Sequence, residues 1–166
     1  MLIDRFASVS RPPEVEYDPY TPMTITWPRY RTVTSQLLTR VFGDNGNYLE
    51  FKADPETGEL VEVVLISASA RIGDHPEPLP FRDDYEPVAP CLDMAAAGSS
   101  LSPPTEQASL AVTAYPDLLE IRFPLVTEAL VGGGPVRFGV GGDGTLTALR
   151  VDWNPVERDA FIADFA

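Results

Sequence analysis

The sequence predicts an α+β fold, mainly antiparallel β-sheet built from hairpins, open to a pseudo-repeat of two similar halves, with a C-terminal helix packed on the sheet. Three observations predict it. Two stretches alternate apolar and polar residues around glycine-containing turns, the same frame recurs in both, and the C-terminal segment opens with residues that start a helix.

The first hairpin is Tyr48-Leu49-Glu50-Phe51-Lys52-Ala53, a turn at Asp54-Pro55-Glu56-Thr57-Gly58, and a return arm from Glu59 to Ile66. Leu49, Phe51 and Ala53 alternate with Glu50 and Lys52, and the proline and glycine supply turn geometry. The second is Val136-Arg137-Phe138-Gly139-Val140, then Gly141 to Gly144, then Thr145 to Trp153. With one residue deleted in the second turn, Phe51 matches Phe138, Ala53 matches Val140, Gly58 matches Gly144 and Leu60 matches Leu146. Val63 and Leu65 then match Leu149 and Val151. In both, the leucine after the turn is followed by the next apolar position three residues later rather than two. Such a step would flip a regular strand, so each return arm is expected to carry a bulge.

Elsewhere the signals are weaker. Pro12, Pro13, Pro19 and the acidic Glu14, Glu16 and Asp18 predict an extended N-terminal arm. Met23 to Trp27 alternates as a strand that Pro28 stops. Leu37, Leu38, Val41 and Phe42 sit at helical spacing, so a short helix is expected over Ser35–Phe42, with Gly43 as its C-terminal glycine. Five prolines between Asp74 and Pro90 exclude a helix or a central strand there. Ala95 to Ser100 and Pro103-Pro104 read as a linker. Ser109–Ala114 and Leu118–Phe123 predict two strands around Tyr115-Pro116-Asp117, with Leu119, Ile121 and Phe123 inward and Glu120 and Arg122 outward. Asn154, Pro155 and Glu157 form a helix start, and the helix to Phe165 is expected to lay Val156, Ala160, Phe161 and Phe165 on the sheet. The organisation expected is a single domain, 1–166, whose halves 21–73 and 109–166 are joined by the loop 74–108.

A chain of 166 residues can bury a core without staples, and its single cysteine, Cys91, forms no internal bridge. No basic-then-apolar leader follows Met1, so a cytoplasmic location is expected. The net charge of −13, from 25 acidic against 12 basic residues, disfavours nucleic acid and anionic membrane as partners and points to a basic protein. Lys52 is the sole lysine, and this arginine bias beside abundant alanine, glycine and proline suggests a GC-rich bacterial genome.

No catalytic, cofactor or metal site is predicted. Glycines 139, 141 and 144 satisfy the dinucleotide-binding pattern, but they lead into a β-rich run rather than the helix that holds pyrophosphate. His75 is the only histidine, which rules out multi-histidine metal sites. Asp74, Glu77, Asp83, Asp84 and Glu86 match no calcium-loop spacing and read as a solvated acidic loop. Cys91 reads as a small packing residue. Candidate protein contacts are Asp83, Asp84 and Glu86, for a charge-steered basic partner, and the aromatics Trp27 and Tyr30.

The expected function is a non-catalytic protein-binding module, for example an immunity-type inhibitor of a basic partner. Two alternatives stand beside it. One is a small-molecule binder or enzyme with a pocket between the halves, its polar groups drawn from Arg122, Arg137 and Glu120. The other is a structural homo-oligomer joined through hairpin edges.

Overall fold

Both hairpins form where alternation and turn chemistry place them. In a computed structural model of the chain, which describes residues 1–82, 86–93 and 105–166, strands β5 (Tyr48–Ala53) and β6 (Leu60–Ser67) pair antiparallel, as do β13 (Val136–Val140) and β14 (Leu146–Asp152). The expected bulges are present at matching places. Lys52 faces Glu62 and Ala53 faces Leu60, leaving Val61 extra; Gly139 faces Ala148 and Val140 faces Leu146, leaving Thr147 extra. The turn glycines Gly58 and Gly144 have φ of 71° and 82°, a region that side chains avoid.

Two six-stranded sheets are built on these hairpins. The first adds β2 (Glu14–Glu16), β3 (Met23–Thr26), β4 (Leu37–Gly43) and β9 (Thr105–Ala108) in the order β2-β3-β6-β5-β4-β9. The second adds β7 (Ala70–Ile72), β10 (Ala111–Ala114), β11 (Leu118–Arg122) and β12 (Ala129–Val131) in the order β12-β13-β14-β11-β10-β7. Taken in chain order, β2 to β6 and β10 to β14 run through their sheets in the same sequence of neighbours. The likeness is one of strand order and turn register. The sixth strands differ, because β7 follows β6 yet joins the second sheet parallel to β10, and β9 precedes β10 yet joins the first sheet parallel to β4.

A two-stranded ribbon of β1 (Ile3–Ser8) and β8 (Val88–Leu92) ties the hairpins together. Ile3 and Leu92 are register partners. The Ile3 amide donates to the Gly144 carbonyl at 3.0 Å, and the Leu92 amide donates to the Gly58 carbonyl at 2.8 Å. Each turn glycine therefore caps one ribbon strand.

The sheets share one apolar cluster that includes Ile25, Phe51, Val63, Leu119, Phe138 and Val151. Trp27 crosses between them, stacked on Phe138 with ring centroids 6.0 Å apart. Burying aromatic rings of this size contributes much of a core's stability.

Several expectations are corrected. Residues 37–43 are strand β4 rather than a helix: Thr39 and Val41 are buried, and β4 pairs with β5 from Leu37↔Ala53 to Phe42↔Tyr48. Gly43 ends that strand, its amide bonded to the Asn47 carbonyl at 2.7 Å. The N-terminal arm is extended, as expected, and in addition β1 and β2 pair with β8 and β3. Segment 74–108 holds β8 and β9; Pro90 is accommodated because β8 belongs to a ribbon rather than a central position. The linker expected over 95–100 and 103–104 lies outside the described residues.

The C-terminal helix α1 (Pro155–Phe165) is present with its capping box. Asn154 Oδ1 accepts from the Val156 and Glu157 amides at 2.9 and 3.0 Å, and the Glu157 carboxylate accepts from the Asn154 amide at 2.8 Å. Phe161 packs on Trp153 and Tyr17. Val156 and Ala160 face solvent instead of the sheet, because the helix contacts the body through the side that carries Phe161 and Phe165.

Candidate binding cleft and the charged face of the second sheet

Strand alternation puts Thr113, Glu120, Arg150 and Arg137 in one cross-strand row on β10, β11, β14 and β13. Their chain neighbours Leu119, Ile121, Leu149, Val151 and Phe138 enter the core, so this row faces outward. Outward does not mean exposed. Glu120 and Arg150 are each only 4 % exposed, and the Arg150 Nε donates to Glu120 at 2.6 Å. Glu120 faces outward, as expected, yet is shielded from solvent. It is covered by residues 73–82, where the Arg150 Nη2 donates to the Glu77 carbonyl at 2.7 Å and the Arg122 Nη1 to the Glu77 carboxylate at 2.8 Å.

Arg137 is ion-paired with Asp152, and burial together with the nearby Arg150 cation lowers its pKa from the ordinary guanidinium value. Arg122 lies beside Glu120 at 3.4 Å, and its guanidinium holds the Glu77 carboxyl below the usual carboxylate range. Arg122, Arg137 and Glu120 thus belong to a covered face of one sheet, not to a pocket between the halves.

A cleft lies elsewhere, between the β1–β8 ribbon and the β12–β13 edge of the second sheet. Its volume is about 510 Å³, within the range of roughly 300–1,000 Å³ that small-ligand sites occupy. Ile3, Phe6, Val88, Val131 and Val140 give it an apolar wall; Asp4, Arg5, Ser8, Arg82 and Glu86 form a polar rim. Asp4 and Arg5 pair with each other at 3.3 Å, leaving Arg82 and Glu86 as rim charges with no ion pair among the described residues. Trp27 braces the wall from behind, its indole N–H donating to the Val88 carbonyl at 2.9 Å.

The predicted contact residues separate. Glu86 is exposed on the cleft rim. Asp83 and Asp84 lie outside the described residues. Trp27 is 1 % exposed and belongs to the core. Tyr30 is half-buried and lines a different, smaller groove with Arg11, Glu14 and Arg31. Sequence reasoning missed Arg5, Phe6, Arg82 and Val131; no local pattern links them, since the ribbon assembles the cleft from segments distant along the chain.

The other motifs have plain structural roles. Glycines 139–144 lead from β13 into β14, so no helix N-terminus is available for pyrophosphate. Cys91 is buried, and burial raises its thiol pKa, which suppresses the thiolate. No cluster of metal-ligating side chains occurs among the described residues. No helix among the described residues is long and apolar enough to cross a membrane.

Charge is distributed unevenly between inside and outside. Arg29 bridges Asp54 and Glu59, each at 2.7 Å; Arg40 pairs with Glu50, Lys52 with Glu62, and Arg122, Arg137 and Arg150 with the acids named above. Glu16, Asp44, Glu56, Asp74, Glu86 and Glu128 are exposed carboxylates in no ion pair among the described residues. No protein-family model matches the chain, and no curated protein matches it.

Proposed function

We propose that this chain is a non-catalytic protein-binding module that captures a basic protein by charge steering and anchors it at the ribbon cleft. The charge distribution carries the reading. Many of its cations are engaged in internal ion pairs, while the excess of carboxylates faces solvent and provides a long-range field for a positively charged surface. The cleft supplies what charge alone lacks, an apolar recess where one side chain of a partner can be desolvated as an anchor.

Ser8 is an exposed rim residue, so Ser8→Trp fills the recess without removing core atoms. The tagged wild-type chain, incubated at low salt with extract of its own cells, is expected to retain a basic protein that is released as salt rises, and Ser8→Trp is expected to retain little of it. Retention of nothing at low salt, or retention indifferent to both salt and Ser8→Trp, overturns the reading. The cleft volume favours a second reading, a small-molecule binder, which native mass spectrometry would support by showing a bound species of low mass that Ser8→Trp loses.

A further inference from the structure

Residues 73–82 cross the whole outer face of the second sheet. They continue from β7 beside β10, with the Gly73 amide bonded to the Ala114 carbonyl at 3.0 Å, and reach β12, where the Leu130 amide bonds to the Pro80 carbonyl and the Arg82 amide to the Leu130 carbonyl, both at 2.8 Å. From β10 to β12 is a span of about 19 Å at ordinary strand spacing, which an extended segment covers easily. Pro76, Pro78 and Pro80 keep the segment extended and leave it few internal hydrogen bonds. It is held instead from below, by Arg122 and Arg150 gripping Glu77.

The grip is one that a different acidic segment could use. The Glu77 side chain is 60 % exposed while its guanidinium partner Arg122 is 30 % exposed, so the carboxylate is the replaceable member. Arg122 Nη2 and Arg137 Nε are buried atoms without a hydrogen-bond partner, donors beyond those the segment engages. We propose that the arginine row of the second sheet is a docking site for extended acidic peptide segments, and that residues 73–82 are its resident occupant, latched by Glu77. The site lies on the outer face of the second sheet, apart from the ribbon cleft except that Arg82, at the end of the segment, also stands on the cleft rim.

The test uses the full chain and a labelled peptide copying residues 73–82, read by fluorescence anisotropy. With Glu77→Ala in the chain the latch is weakened, and the peptide is expected to bind about fivefold more tightly than to wild type, the effect of one exposed charge pair. The gain is expected to vanish when the peptide carries Glu77→Gln and when the chain also carries Arg122→Gln. A chain of net charge −13 repels an acidic peptide in general, so nonspecific attraction does not imitate this pattern. Hydrogen exchange in Glu77→Ala is expected to quicken at the Arg82 and Leu130 amides and stay unchanged in β11 and β14, which also shows that the variant folds. Equal peptide binding by wild type and Glu77→Ala, a gain that survives Arg122→Gln, or unaltered exchange at Arg82 and Leu130 overturns the proposal.

Discussion

In the first sheet the outward row through the hairpin reads Arg40, Glu50, Val64 and Thr24; in the second the corresponding strands carry Arg137, Arg150 and Glu120. Glu50 stands where Arg137 stands, Val64 where Arg150 does, and Thr24 where Glu120 does. The first row leaves its ion pair only partly covered, with the Arg40 side chain 40 % and Glu50 15 % exposed at 3.3 Å from each other. The second row encloses its charges beneath residues 73–82. Inward, by contrast, Phe51 and Phe138 are both fully buried, as are Val63 and Leu149. Two hairpins with similar turn frames thus share their core chemistry and differ in what covers the opposite face, so outward-facing residues follow their cover rather than their hairpin.

The largest test of that contrast is removal of Arg150. Arg150→Ala removes the closer of the two cations beside the buried Glu120 carboxylate, leaving only Arg122 Nε at 3.4 Å, and should cost about 3 kcal/mol in denaturant unfolding. Val64→Ala at the corresponding place removes only two methyl groups from a row with no buried ion pair and should cost about 1–2 kcal/mol. Glu120→Leu with Arg150→Met, which removes both charges, should recover most of the loss. If Arg150→Ala and Val64→Ala cost the same, the enclosure of the second row has no energetic meaning.

A smaller effect is expected at the second turn. Gly144 has φ +82°, and a Cβ there would sit 3.0 Å from the Ile3 carbonyl oxygen, a backbone atom that the ribbon holds in place. Gly144→Ala should therefore destabilise by about 1–3 kcal/mol and speed hydrogen exchange in β1 ahead of β6, because strain enters on the ribbon's β1 side. Equal acceleration in both strands would mean that the turn and the ribbon are not linked.

The smallest effect separates the two turn aspartates by pH. Asp54 is held below the ordinary carboxylate value by the Glu56 amide, then by Thr57 and Arg29; Asp143 is held below it by Thr145. A depressed folded-state value means that the stabilisation is fully present above the unfolded carboxylate value and lost as pH falls through the folded one. Asp54→Asn should lower stability at neutral pH by about 1 kcal/mol, and the gap from wild type should close on acidification. Asp143 is solvent-exposed, so Asp143→Asn should show the same sign with a weaker amplitude. Urea midpoints measured across the acid range check both.

The hairpins could be read from sequence because their determinants are local: alternation, turn residues, and the three-residue step that became the bulges at Val61 and Thr147. The capping box of α1 is local too. Strand β4 was misread because Leu38 and Phe42 are apolar on its outward side, Phe42 stacking on Tyr48 with centroids 4.2 Å apart, so its alternation is masked. Neither the cleft nor the covered arginine row has a local signature. The cleft needs β1 beside β8, and the row needs residues 73–82 laid over strands that follow them in the chain.

By itself, then, the sequence determined the two hairpins, their bulges, the capped C-terminal helix and the excess of acidic charge, all consequences of side-chain order within a few residues. Only the tertiary structure decided that β7 and β9 cross between sheets, that Gly58 and Gly144 each cap one strand of a shared ribbon, and that Glu120 and Arg150 are buried. The physical reason is that pairing and burial depend on which distant segment arrives to satisfy an edge or cover a face, and short-range periodicity carries no record of that arrival.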